Sequence, residues 1–404
     1  MRDIRHRARH FGVCFFVSLI TVAWMPSAGT AAEADSPTLG GVSQAVSKFV
    51  DDKQIAGAVT LVADKDKVLH LDATGFADIA ARREMKPDAI FWIASMTKPV
   101  TATAVMMLEG EGKLSVDDPV AKYIPELASL KTTDGKPAKV TIRHLLTHTS
   151  GMAEISSEQA RQAKTLADVI PMYASQPLKF TPGERWVYCQ SSINTAARVV
   201  EVVSGRPFPE FLDERLFGPL KMTDTTFYLR EEQLPRLAAP YRRTDAGELE
   251  AAENFILLGK SPTSRDRFPA ANGGLFSTAA DYVKFCQLIL AGGELDGRRY
   301  LKPESVAKMT TLQTGELTTG FTPGNGWGLG WCVIRKPQGP SEALSPGSFG
   351  HGGAYGTQAW IDPVQGRIYL LMVQRANFPN ADASDVRRTF QKVAAEALAE
   401  TTSR

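Results

Sequence analysis

The chain has 404 residues, 43% of them hydrophobic, and carries 46 basic against 44 acidic side chains for a formal charge of +2. That much apolar material can build a sizeable core, and the near balance of charge argues against nucleic acid or an anionic lipid surface as a partner.

The first 32 residues place Arg2, Arg5, Arg7 and Arg9 before an apolar run from Phe11 to Met25 and the small residues Ser27 to Ala32. This is the layout of a cleaved secretory signal, with the cut near Ala32. The apolar run is short for a bilayer span, and no cysteine follows it to take a lipid, so no stable membrane anchor is expected. The chain therefore reads as exported, to the periplasm or the medium. Cleavage leaves 42 basic and 43 acidic residues and the three cysteines Cys189, Cys286 and Cys332. They read as buried free thiols, because Cys286 lies in an apolar helical run and Cys332 in a strand-like one.

The mature chain opens with a helical pattern from Val42 to Asp51. Strands follow at Ala58 to Ala63 and Val68 to Phe76, joined by the charged turn Asp64-Lys65-Asp66-Lys67. The next stretch, Phe91-Trp92-Ile93-Ala94-Ser95-Met96-Thr97-Lys98-Pro99-Val100, runs from aromatic residues into a helix that admits Pro99 in its first turn. One turn of helix puts Ser95 and Lys98 on the same face. A serine hydroxyl becomes a useful nucleophile when a base takes its proton, and a desolvated lysine can be that base. For this the amine must fall by roughly 3 pKa units from about 10.4, at a cost of about 4 kcal/mol, which calls for burial or a cationic neighbour. A second Ser-x-x-Lys, Ser305 to Lys308, reads as the capped start of a surface helix and is taken as structural.

His144 and His148 have the i, i+4 spacing of a helical metal pair, but the glutamate of a zinc-protease helix is missing between them. They are taken as structural, and no metal is expected. Further on, Thr181-Pro182-Gly183 leads through Trp186 and Tyr188 into a helix from Ile193 to Val203, so Tyr188 can sit on a loop facing a cleft. Its phenol can exchange protons with a serine or leaving group if cations such as Lys98 lower its pKa. Nothing near Cys189 marks a low thiol pKa.

Toward the C-terminus, Trp327 to Ile334, Gly356 to Ile361 and Ile368 to Gln374 read as strands. Between the first two lies Ser348-Phe349-Gly350-His351-Gly352-Gly353-Ala354, whose glycines let a ligand or another backbone come close. A last helix follows Ser384, with Val386, Phe390, Val393, Ala394 and Leu398 on one face. No Gly-x-Ser-x-Gly occurs. Strands at both ends with helices between predict an α/β lobe (about 38–94 and 290–400) with a mainly helical lobe (about 95–289) inserted, in one domain over 38–400.

Taken in order, Ser95-Met96-Thr97-Lys98, Tyr188-Cys189-Gln190 and His351-Gly352-Gly353 resemble the three motifs of the serine β-lactamase and penicillin-binding family. The branch they resemble holds class C β-lactamases, DD-carboxypeptidases and family VIII carboxylesterases. The likeness extends through Thr141 to Met152, Phe180 to Tyr188, Pro219 to Phe227, Gly273 to Leu290 and Gly326 to Trp331, covering about 40–400.

The resemblance implies an α/β (α+β) fold in which an antiparallel sheet is flanked by the terminal helices. It implies Ser95 as the acylated nucleophile, Lys98 and Tyr188 as the proton-transfer pair, and the N–H groups of Ser95 and Ala354 as an oxyanion hole. Gln190, His351, Gly352, Gly353 and Ala354 would bind substrate: a small ester, a β-lactam or a peptide, with no cofactor. Two positions depart from the pattern. Gln190 stands where asparagine is usual, and His351-Gly352 stand where class C β-lactamases carry lysine and a hydroxyl residue. A histidine is largely neutral above about pH 6.5, which moves weight from β-lactams toward ester or peptide hydrolysis. A protein that is acylated and turns over poorly is the alternative.

Overall fold

The computed structural model describes residues 39–402; the expected leader, 1–32, lies outside them. The chain enters through helix α1 (Gly40–Asp51) and lays down β1 (Gly57–Ala63), β2 (Val68–Asp78) and the short β3 (Arg83–Glu84). After a long, mainly helical excursion it returns through β4 (Asn325–Trp327), β5 (Cys332–Ile334), β6 (Phe349–Gly352), β7 (Gln358–Asp362) and β8 (Arg367–Val373). These eight strands make one antiparallel sheet in the order β4-β5-β6-β7-β8-β1-β2-β3. The first strand thus pairs with the last, Leu61 standing opposite Leu370.

Every residue of β1 is buried, as are all of β8 after Arg367, because the sheet is covered on both faces. The alternation of a strand then sorts side chains between two cores. Val59, Leu61, Ile368, Leu370 and Met372 face the larger core, shared with the helical excursion. Ala58, Val62, Tyr369, Leu371 and Val373 face the other, filled by Val42 and Val46 of α1 and by Val386, Phe390, Ala394 and Leu398 of the C-terminal helix (Asp385–Thr402). The helix that starts near Ser95, α2 (Thr97–Gly110), is buried along nearly its whole length, from Thr97 to Leu108. A helix with apolar residues all round belongs inside a core.

The expected strand from Trp327 to Ile334 is a hairpin instead. Gly328 to Trp331 form the turn, Gly330 takes φ 77°, and its N–H bonds to the Leu146 carbonyl. A Cβ at Gly330 would run into the Ala102 side chain on α2, so the turn can pack on that helix only with glycine there. His144 and His148 do not share a helix face. The helix stops at Leu146, and His148 has the left-handed φ of 60°. His144 Nδ1 instead accepts from Thr141 N–H as part of a capping box, at 3.2 Å. Lys308 pairs with Glu109 at 2.7 Å rather than with Ser305. Among the described residues no helix is long and apolar enough to cross a membrane. Cys189, Cys286 and Cys332 are free and buried.

Candidate active site

Ser95 sits at the mouth of α2 on a single 3-10 turn, Ala94–Met96. The residue before it, Ala94, is held at φ 47°, a conformation that costs a non-glycine residue on the order of 1 kcal/mol. Surrounding bonds fix it there. Trp92 and Phe91 pair with Phe276 and Ser277, the Trp92 indole N–H donates to the Gly273 carbonyl at 2.6 Å, and the Tyr282 hydroxyl donates to the Met96 carbonyl at 2.7 Å. The helix then turns Lys98 inward, fully buried, with Nζ 3.1 Å from Ser95 Oγ.

Lys98 Nζ has two further acceptors, Gln190 Oε1 at 2.9 Å and the Asn272 carbonyl at 2.6 Å. An ammonium would donate to all three. A neutral amine would donate to the last two and turn its lone pair to the serine, so either state is satisfied and a proton can pass without orphaning a group. Burial pushes the amine down to about 7, against a smaller upward pull from Glu154.

Gln190 opens the helix Gln190–Ser204, and the Glu154 carboxylate caps that end by accepting from the N–H groups of Gln190 and Ser191. Asn272 Nδ2 donates to Gln190 Oε1 at 3.0 Å, while its own N–H is held by Asn194 Oδ1 at 3.1 Å. Gln190 therefore spends its carbonyl on Lys98 and Asn272.

Tyr188 lies beside Lys98, whose Nζ is 4.5 Å from the ring centre, and its hydroxyl is 3.4 Å from His351 Nε2. A lowered phenol pKa was expected; the structure gives the reverse. Burial pushes the phenol well up, with a hydrogen bond to Ser95 opposing it only in part. Tyr188 thus stands in the site as a neutral hydroxyl. Beneath it His148 is fully buried; its Nδ1 accepts the Cys189 N–H at 3.1 Å and its ring lies 4.4 Å from that of Tyr188. Burial also pushes the Cys189 thiol up to about 11, which removes it as a thiolate.

His351 closes the far wall on β6. Its Nδ1 lies 2.7 Å from the Gly352 carbonyl and so carries the proton, leaving Nε2 to accept from Tyr188. Burial, then Lys98, push this imidazole down to about 3, so it brings no positive charge. At Gly353 the backbone touches the serine loop: a Cβ there would meet Thr357 Oγ1, come 2.7 Å from the Ile93 carbonyl and lie 3.3 Å from Ala94 Cβ. This contact carries the turn 353–356 to Ser95. Neither the Ser95 nor the Ala354 backbone N–H has a protein acceptor among the described residues.

Ser95, Tyr188, Gln190, His351 and Gly352 to Ala354 all line one cavity of about 400 Å³, with Lys98 as its floor contact through Ser95. Phe321 and Phe378 add apolar walls, and Asp382 enters from the segment before the last helix. A larger, open depression of about 720 Å³, bordered by Lys65, Lys284 and Glu294, holds no comparable nucleophile and base. Sequence reasoning had not singled out Glu154, Asn272 or Asp382. Asn272 precedes the Gly273-Gly274 pair, and that turn was the only local signal for it.

A family model described as Beta-lactamase matches residues 42–394. Protein Rv1367c of Mycobacterium tuberculosis is 34% identical over 375 residues, covering 86% of this chain and 92% of that protein. Esterase EstB of Burkholderia gladioli is 30% identical over 377 residues, covering 86% and 93%. Among solved structures, EstCE1, described as a hydrolase with promiscuous acyltransferase activity, superposes with a TM-score of 0.75 at 24% identity, covering 88% of this chain and 98% of that one.

Proposed function

The chain belongs to the Beta-lactamase family, and from that premise we propose that it is an exported serine hydrolase that opens esters through an acyl-enzyme on Ser95. The observation that carries this reading is a buried amine, pushed down to about 7, at 3.1 Å from the serine hydroxyl. Near neutral pH about half of it is free to act as a base. Ser95 Oγ attacks the carbonyl carbon as its proton passes to Lys98 Nζ. The carbonyl oxygen turns toward the N–H groups of Ser95 and Ala354, a contact of the kind worth about 10²–10³ in rate. The leaving oxygen takes a proton from Lys98, relayed through the neutral Tyr188 hydroxyl. Water then repeats the sequence on the acyl-serine and restores the free hydroxyl.

Esters are preferred over β-lactams or peptides ending in a carboxylate because His351 is neutral and brings no fixed cation to pair with one. The apolar rings of Phe321 and Phe378 suit an acyl chain, and a relative named an esterase accords with this.

The test is to incubate the mature protein with p-nitrophenyl butyrate and with a penicillin, follow nitrophenol release and intact mass, and map any adduct. Continuous release with a transient butyryl group on the Ser95 peptide is expected. A lasting penicillin adduct without turnover would instead indicate a binding protein that is acylated and stays so. Absence of any Ser95 adduct and of ester turnover would overturn the proposal.

The same lysine sets the pH dependence. Its protonated form cannot take the serine proton, so kcat/KM should rise roughly tenfold per unit below about pH 7 and level above it. A profile flat from pH 5 to 9 would remove Lys98 as the base.

A further inference from the structure

One charged side chain lines the cleft outside the groups used above. Asp382 comes from a single turn, Ala381–Ala383, that precedes the last helix. Its Oδ1 occupies the space that a side chain at Gly352 would need, since a Cβ there would collide with it. The carboxylate therefore stands in the cleft wall as though it were the side chain of position 352.

It is held by a built network. Gln358 Nε2 donates to Asp382 Oδ1 at 3.2 Å and to the Ala381 carbonyl at 3.1 Å. Gln358 is itself oriented by the Trp360 indole N–H, which donates to its Oε1 at 2.9 Å. The Asp382 N–H is fixed by Asn380 Oδ1 at 3.0 Å. Behind these, Arg387 is fully buried, with its guanidinium 4.0 Å from the centre of the Trp360 ring and a bond to the Asp382 carbonyl. Burial pushes the Asp382 carboxyl above its ordinary value, and Arg387 and the Gln358 hydrogen bond oppose this only in part. The other polar side chains on the wall, Ser95, Tyr188, Gln190, His351 and Asn380, are uncharged. In its ionised form Asp382 presents an acceptor-only group to whatever lies over Gly352.

Resting on the acyl-enzyme reading, we infer that Asp382 is a specificity-determining residue: it selects acyl groups bearing an ammonium or other strong hydrogen-bond donor and turns away those bearing a carboxylate. A charge-assisted bond formed with one charge and replaced by repulsion with the other separates the two classes.

Three matched p-nitrophenyl esters test this: 6-aminohexanoate, heptanoate and the adipate half ester, cationic, neutral and anionic in turn. For the wild type, kcat/KM for the cationic ester should exceed that for the anionic one by about 30-fold. Asp382→Asn should shrink this ratio to within about threefold, and Asp382→Glu should keep most of it. An unchanged ratio in Asp382→Asn, or a wild-type ratio near one, overturns the inference. The neutral ester separates the two levels: wild-type turnover of heptanoate with no charge preference defeats the role of Asp382 alone, whereas no turnover of any of the three defeats the hydrolase reading and this inference with it. Because Asp382→Asn also disturbs the Gln358 contact and could fold poorly, hexylammonium and hexanoate should be compared as inhibitors of heptanoate hydrolysis by the wild type. Inhibition about tenfold stronger by the ammonium is expected, and equal inhibition overturns the assignment.

Discussion

Lys98→Met is expected to lower ester turnover by about 10⁴-fold or more while leaving a folded protein that melts no lower than the wild type at pH 7. The loss follows from geometry: methionine fills the volume of the side chain but offers no base to Ser95. The stability follows from the sign of the pKa shift. Burial lowers the amine to about 7 in the folded chain, against about 10.4 when unfolded, so the unfolded chain holds the proton more tightly. Below about pH 7 this cost is fully present, and it fades as the pH rises toward 10.4. Near pH 7 it is on the order of 4 kcal/mol before the three hydrogen bonds of Nζ are set against it. A thioether has no such cost, although Gln190 Oε1 and the Asn272 carbonyl lose a donor. Calorimetry and nitrophenol release on the same sample decide the matter. Undiminished turnover removes the lysine from the mechanism, and a melting point lower by ten degrees or more shows that its bonds outweigh its burial.

Gly353→Val should cost about 100-fold in kcat and about 2 kcal/mol or more in stability. A side chain there must displace the Thr357 hydroxyl and the Ile93 carbonyl, and the second is backbone and cannot rotate away. The turn that carries the Ala354 N–H would be pushed from Ser95, so the carbonyl oxygen would lose one of its two donors. KM should move less than kcat, because the contact strengthens as charge develops on that oxygen. Wild-type kinetics for Gly353→Val would show that the turn does not contribute to the oxyanion site. A change confined to KM would place Ala354 in substrate binding alone.

What could be read from the sequence was local. Ser95 and Lys98 are one helical turn apart, Tyr188 and Gln190 are two residues apart at the start of a helix, and His351 to Ala354 are contiguous, so each motif carried its own geometry. The apolar runs of β1 and β8 and the apolar face of the last helix were legible for the same reason. The groups that escaped notice are those whose position depends on distant chain. Asn272 reaches Lys98 across 174 positions, and Asp382 replaces a side chain at Gly352 although nothing in its own neighbourhood marks it. The direction of the Tyr188 shift was misjudged because a sequence shows which cations are near a phenol but not how completely the phenol is buried. The hairpin read as one strand from Trp327 to Ile334 was misjudged because the glycines of its turn answer to the surface of α2, not to neighbours in sequence.

The pairing of β1 with β8 also has a temporal side. Residues 57–63 leave the ribosome early, yet the partner that completes their hydrogen bonds on one edge spans 367–373. The apolar face of α1 likewise waits for Phe390 and Leu398. The centre of the sheet cannot close until residues 367–373 have been made, and the cost of joining such distant segments makes this a slow step. A nascent chain stopped before residue 367 would carry an open β1 edge, a template for pairing with its neighbours. Termination before residue 367 should therefore give aggregate rather than a shortened enzyme.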